Sequence, residues 1–296
     1  FQDNISDCLI EGNGNVVINE STANGVDIAD DTMALAALVS IPDIIRKLNL
    51  TFKFDIILLA NTRSHGRGNS DGIRYFLKEH KDTIKFAINV SGTSIGKVDY
   101  STFSRVRCDI HCEVNPKSIS ESSAVMAINE VITSLFSIPV PIKPKTMLNI
   151  GMVSAGERYS SFSRKADLNL ELLSAEDSIT DNIIEEIQDR IMDVSVKHKA
   201  KITSEFFGRH NSSGLTSSHP FVKAALNVLE YLDYQPIMEY ANSEITVPLS
   251  YDIPSLCIGV TTGADDDNSI DLQPISKGML QIVLLLMMIK QGYCDD

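Results

Sequence analysis

The chain has 296 residues, 43% of them hydrophobic and 22% charged, a balance that argues against long-range disorder and allows a sizeable core. Basic residues number 26 against 39 acidic, a net charge of −13, and Trp is absent. Such a surface repels phosphate backbones and offers few stacking platforms, so nucleic acid is not an expected partner. At about 150 residues per domain, the length suggests about two domains.

The five cysteines (Cys8, Cys108, Cys112, Cys257 and Cys294) are scattered and odd in number. They form no disulfide framework and fit a reducing, cytoplasmic location. Cys108 and Cys112 flank His111, but no second Cys/His pair follows at ligand spacing, so a buried strand is expected there rather than a zinc knuckle. The longest apolar run, Met279 to Ile289, is interrupted by Gln281 and falls short of the ~20 residues that a membrane span needs. No membrane partner is expected.

In chain order, a polar, Asn/Gly-rich stretch to about Asn24 holds one strand-like run, Val16 to Ile18. Asp30-Asp31-Thr32 supplies N-cap chemistry for a helix whose apolar positions Leu35, Leu38, Ile41, Ile44, Ile45 and Leu48 recur at helical spacing, with a bend at Pro42. Phe54 to Ala60 reads as a strand buried on both faces of a parallel sheet. A Gly-rich loop, a helix from Asp71 to His80 and a strand from Lys85 to Val90 follow, an α/β pattern. The middle of the chain then gives strand (Val106–Val114), helix (Glu121–Phe136), two strands (Thr146–Val153 and Ala166–Leu172), helix (Ile179–Val194) and strand (Lys201–Phe207). This βαββαβ order is the ferredoxin-like motif. The α/β pattern resumes with a helix from His219 to Leu232, a short strand from Ser255 to Val260 and an apolar helix from Pro274 to Lys290. The expected fold class is therefore α/β: a split α/β domain, residues 1–99 and 209–296, interrupted by a ferredoxin-like α+β domain, residues 100–208.

Two local motifs carry little chemistry. Gly68-Asn69-Ser70-Asp71-Gly72 matches G-x-S-x-G, but that elbow needs its serine at the tip of a strand, and about ten residues intervene here. A turn with Ser70 or Asp71 as N-cap is the plainer reading. Asp265, Asp266, Asp267, Asn268 and Asp271 lack the Gly and Glu of an EF-hand loop and read as a solvated loop.

Several segments together resemble the zinc-dependent aminoacylase, glutamate carboxypeptidase and succinyl-diaminopimelate desuccinylase family of co-catalytic zinc exopeptidases. Ala29 to Thr32 with Ala34 to Leu38 resembles the family's D-[DN]-x-x-G-x-A-A-L segment, which implies that Asp30 corresponds to the zinc-bridging carboxylate. Leu58 to Gly72 resembles the strand and loop that carry a Glu-Glu pair, general base then zinc ligand; Ser64 and His65 stand in those places. Val90-Ser91-Gly92 resembles [IVL]-D-G, with Ser91 in place of a zinc-binding Asp. Ser160 replaces a substrate-binding Asn, and Arg209, in Phe207-Gly208-Arg209, matches a substrate-contacting Arg. No His lies between His219 and Asp296, so the last zinc-binding His has no counterpart, and the family's first ligand pair, H-x-D, would precede Phe1.

The resemblance implies the split architecture read above, with the inserted domain serving as a dimerisation or lid domain and the chain forming a homodimer. Zinc chemistry needs roughly three protein ligands per metal, some of them shared, and a base for the metal-bound water. Only Asp30 and His65 remain as candidate ligands, and Ser64 cannot act as the base, because an unassisted hydroxyl will not accept a proton near neutrality. The expectation is a non-catalytic protein that needs no cofactor and binds a peptide, a small molecule or another subunit. The alternative is an active amide-bond hydrolase, with zinc in a rearranged site using Asp30 and His65, or with Ser70 as nucleophile.

Overall fold

The computed structural model describes residues 16–64, 66–114, 123–156, 158–159, 161–241, 244–263 and 268–294, with the backbone alone for residues 30 and 31. It divides into two compact units. One combines the described residues up to Thr102 with those from Gly214 onward; the other spans Phe103–Ser213.

The first unit opens with β1 (Val17–Ile18) and β2 (Thr22–Asn24), an antiparallel pair. A π-helical turn over Ile28–Thr32 runs into α1 (Met33–Lys47). The helix buries Met33, Ala37 and Ile41, which share one face at four-residue spacing. It continues through Pro42, and Arg46 and Lys47 in its last turn suit the negative end of the helix dipole. α2 (Asp71–His80), β3 (Ala87–Ser91) and β4 (Lys97–Thr102) follow.

Phe54–Ala60 departs from expectation. It is not a strand, Asp55 is exposed, and Ile57 and Leu58 are 51% and 39% exposed. Its composition suits a sheet interior, but a strand exists only where a neighbour accepts and donates its backbone hydrogen bonds, and among the described residues this segment has none in a ladder.

The second unit is continuous in sequence: β5 (Ser104–Glu113), α3 (Ala124–Phe136), β6 (Thr146–Ala155), β7 (Lys165–Ser174), α4 (Asp177–His198) and β8 (Lys201–His210). Glu121, the expected start of α3, lies outside the described residues. The strands form one antiparallel sheet in the order β6-β7-β5-β8, with Cys108 opposite Leu170 on one side and Phe206 on the other. Strand alternation sorts β5 cleanly. Val106, Cys108, Ile110 and Cys112 enter a core with Ile128, Val131 and Leu135 of α3 and Ile183, Ile187 and Ile191 of α4. Fully burying one such Ile contributes about 2 kcal/mol. On the opposite face, Arg107 pairs with Glu171 at 2.9 Å and His111 with Asp167 at 2.6 Å. The two cysteines and the histidine between them thus point to opposite sides of the sheet. Burial pushes the Cys108 thiol up to about 12 and the Cys112 thiol up to about 11, so both behave as small hydrophobes.

After β9 (Ser213–Gly214) the chain supplies α5 (Pro220–Tyr231), β10 (Ile237–Ala241), α6 (Thr246–Leu249), β11 (Ser255–Gly259), β12 (Ser269–Asp271) and α7 (Ile275–Lys290). Pro220 occupies the first turn of α5, where its missing N–H costs nothing, and the His219 ring accepts the Phe221 N–H at 3.1 Å. The main sheet of the first unit has the order β10-β4-β11-β3; β11 is parallel to β3 and antiparallel to β4. Every residue of β11 is buried, as expected of a strand with a neighbour on each side and packed faces. β12 joins β2 to complete a three-stranded sheet. Among the described residues, no helix is long and apolar enough to cross a membrane.

Candidate functional site

In open α/β sheets, ligands bind beyond the carboxyl ends of parallel strands. Here β3 and β11 are in register to their last residues, Ser91 opposite Gly259. The zipper then continues past both strands: the Val260 N–H donates to Ser91 O, and the Thr261 N–H to Gly92 O, each at 3.1 Å. The loop after β3 folds back, with the Ile95 N–H donating to Thr261 O at 2.9 Å. Gly259 is required there, because a Cβ at that position would lie 2.0 Å from Thr93 O. A Cβ on Gly263 would lie 2.8 Å from Thr93 Cγ2 and 3.6 Å from the Ala29 Cβ. The turn containing Asp30, the Ser91–Thr93 loop and the 260–263 loop therefore converge at one end of the sheet. The buried anchors Ile28, Ala29 and Met33 pin the Asp30 turn to the core.

Ser64 lies in the loop that leads into α2. Arg63, Gly66, Asn69 and Ser70 all adopt positive φ, between 48° and 65°. The Ser70 N–H donates back to Ser64 O at 3.2 Å, Arg63 pairs with Asp71 at 3.0 Å, and Arg74 Nε donates to Asn69 O at 3.0 Å. Four left-handed residues in one short loop are costly for the three that are not glycine, and such strain gathers at functional sites. Among the described residues no strand leads directly into Ser70, its side chain makes no cap bond to α2, and the residue is only 4% exposed. The geometry of a nucleophile elbow is thus not formed; Ser70 holds the N-cap position of α2, but its hydroxyl accepts no N–H of the first turn.

Arg209 belongs to β8 in the second unit, where its guanidinium donates to Asp181 of α4. That hydrogen bond holds the Asp181 carboxyl below its usual range and raises Arg209 further. A ligand for Arg209 would have to compete with this partner. His65 and Ser160 lie outside the described residues, as do the side chains of Asp30 and Asp31.

The donors at these places do not fit a two-zinc centre. Ser64 and Ser91, the two positions where the resemblance implies carboxylates, offer only neutral hydroxyls. Among the described residues, no three His, Cys, Asp or Glu side chains stand close enough to hold a metal ion.

Two features escaped sequence reasoning, which assigned no element to 97–102 or 237–241. Asp99 of β4 is 7% exposed, and its Oδ1 has no hydrogen-bond partner. Burial pushes its carboxyl up to about 6, against the pull of Lys97, 3.6 Å away. Lys97 also pairs with Glu239 of β10 at 2.9 Å. The sequence signal was the alternation of Lys97, Asp99 and Ser101 along one strand face. The second feature is Asn61, whose amide donates to Glu244 Oε2 at 2.7 Å while Asn61 Oδ1 and Glu244 Oε1 stay buried and unpaired. This long-range contact, 183 residues apart in sequence, left no local signal.

No family model matches the sequence, and no curated protein sequence matches it. Solved structures do match in fold. The aminopeptidase PepT from Bacillus cereus superposes with a TM-score of 0.69 at 15% identity, over 95% of this chain and 78% of that one. A tripeptidase from Staphylococcus aureus gives 0.74 at 14% identity, over 94% and 77%. The YXEP protein from Bacillus subtilis, described as a dinuclear metal-binding peptidase of the M20 family, gives 0.62 at 13% identity, over 88% and 72%. The likeness is distant and is one of fold: this chain has an α/β fold that resembles the two-domain architecture of M20 peptidases.

Proposed function

We propose that this chain is a non-catalytic protein on a metallopeptidase-like fold, one that binds a peptide or a protein subunit without cleaving it. The observation that carries the reading is Ser91, a hydroxyl at the carboxyl end of β3, where the Asp30 turn and the 260–263 loop converge. A serine there supplies neither the charge that fixes a divalent cation nor a base that takes a proton from water. Ser64 in the strained loop adds a second neutral group.

The second unit reads as a ferredoxin-like insert, supported by its βαββαβ order and the strand order β6-β7-β5-β8. A homodimer through this insert is supported by the open outer edge of β6 and by the exposure of Met147, Met152 and Val153 along it. Among the described residues, the buried Cys108 and Cys112 form no disulfide, which supports a reducing, cytoplasmic setting.

The test is metal analysis of the purified chain after dialysis against trace zinc, run beside assays on dipeptides and N-acyl amino acids. The expected result is no stoichiometric zinc and no turnover. About two zinc ions per chain together with turnover would overturn the reading.

A further inference from the structure

β10 (Ile237–Ala241) stands at one end of the main sheet of the first unit, and among the described residues no strand pairs with its outer side. The Ile237 N–H donates to Gly96 O at 2.9 Å, and Ile237 and Glu239 stand opposite Lys97 and Asp99. In a parallel ladder such residues turn both backbone groups to the neighbouring strand, and the residue between them turns its groups away. The N–H and C=O of Met238 therefore point out of the sheet edge. Lys and Pro are the usual guards of a solvent-facing edge, and the sequence Ile-Met-Glu-Tyr-Ala holds neither. Ile237, Met238 and Tyr240 are instead 57%, 50% and 43% exposed, so apolar surface and open backbone run along the same short strand.

The surroundings give this edge a preference. Strand alternation puts Ile237 and Glu239 on one face and Met238 on the other. On the first face Lys97 serves two carboxylates, Glu239 at 2.9 Å and Asp99 at 3.6 Å, one ammonium between two acids. The Glu239 side chain is still 52% exposed. Beside the strand lies a cavity of about 300 Å³, lined by Met238, Glu239 and Tyr240 and by Tyr100 and Leu215 among others. That volume is at the bottom of the range for ligand pockets and suits a single apolar or aromatic side chain.

We propose that the outer edge of β10 takes up an extended peptide as one further strand, a peptide that alternates basic and apolar side chains, with a basic one beside Glu239 and an apolar one in the cavity. The proposal rests on the peptide-binding half of the reading above and is independent of whether the chain turns over a substrate. Main-chain hydrogen bonds at Met238 supply affinity, and alternate side-chain positions supply selectivity. A second copy of this chain fits the edge worse on two counts. Two paired five-residue strands fall well short of the roughly 1,000 Å² that a stable interface between folded chains needs. Each copy would also bring a net charge of −13 to an edge already rich in acid. A short basic peptide meets neither obstacle, since a weak, reversible contact suffices for it.

The test titrates the purified chain with a fluorescein-labelled heptapeptide of alternating Val and Lys. Two controls run beside it: an alternating Val and Glu peptide, and the Val/Lys peptide with every backbone nitrogen methylated. The expected result is saturable anisotropy with the Val/Lys peptide and binding weaker by about tenfold or more with each control, through lost charge complementarity in one and lost backbone hydrogen bonds in the other. Met238→Pro removes only an outward N–H, so it should weaken the Val/Lys peptide by about tenfold at an unchanged urea midpoint. Glu239→Gln should narrow the gap between the Val/Lys and Val/Glu peptides. The methylated peptide keeps the test decisive if Met238→Pro does not fold. Equal binding of all three peptides, or binding of none, would overturn the proposal. So would Val/Lys binding that both variants leave unchanged, which would place the peptide elsewhere on the chain and leave the peptide-binding reading standing. A lower oligomeric state on Met238→Pro would mark a second copy as the occupant and would overturn it as well. Zinc content and turnover bear on the non-catalytic reading alone.

Discussion

Gln281 sits in the middle of the most apolar helix, fully buried, with neither amide atom hydrogen-bonded. Burying an unpaired amide costs about 1–3 kcal/mol. Gln281→Met keeps the volume and removes the polar atoms, so it should stabilise the fold by about 1–2 kcal/mol, read as a higher urea midpoint at unchanged slope. Asp99 gives a prediction in pH. Its folded carboxyl keeps its proton up to about 6, whereas the unfolded chain releases it near 3.8. Between those values the folded state binds more protons, so this residue subtracts stability that is fully lost above about pH 6 and recovered as pH falls toward 3.8. Asp99→Asn should therefore stabilise the protein at pH 7, by about 1 kcal/mol after allowance for solvent screening, and the gain should vanish at pH 4. Paired denaturation curves at the two pH values check it; a gain that is equal at both would refute the account.

At the scale of elements, Gly259 shows why β11 ends where it does. The chain crosses the Thr93–Ile95 backbone so closely that Gly259→Ala should cost about 3 kcal/mol, measured by thermal or urea unfolding. The strands and helices of the second unit were legible in the sequence because alternation and helical spacing hold from end to end, as in β5 and α4. Phe54–Ala60 was misread for a physical reason: its composition reports a preference, but pairing needs a neighbour that local sequence does not contain. β4 and β10 were missed because Lys97 and Asp99 break the apolar pattern of β4, and β10, with Glu239, is largely exposed. For the candidate site, the sequence put Asp30 at the capped start of a helix and Ser91 after a strand; the structure puts residue 30 in a π-helical turn that runs into α1 and Ser91 at the last residue of β3. The strain around Ser64 and the Asn61–Glu244 contact were not legible, because backbone φ and long-range pairing leave no periodic trace.

At the scale of the whole molecule, an exposed edge strand is a hazard unless something covers it. The chain should sediment as a dimer at micromolar concentration, and charged substitutions at Met147 and Met152 on β6 should shift it to monomer without unfolding it. A monomer before substitution would refute the arrangement. The net charge of −13 adds long-range repulsion between copies, so association should strengthen as salt is raised.

The place of β11 between β3 and β4 also sets a timetable. β3 and β4 leave the ribosome before the whole of the second unit, and the strand that separates them comes some 150 residues later. At about 5–20 residues per second, the first half of that sheet waits on the order of ten seconds for its central strand. Val98 and Ile88 stay bare throughout that interval, while the second unit holds every strand of its own sheet once His210 has been made, ahead of β11. Nascent chains should therefore become protease-resistant first over Phe103–Ser213. The earlier residues are the part of the chain most in need of a chaperone.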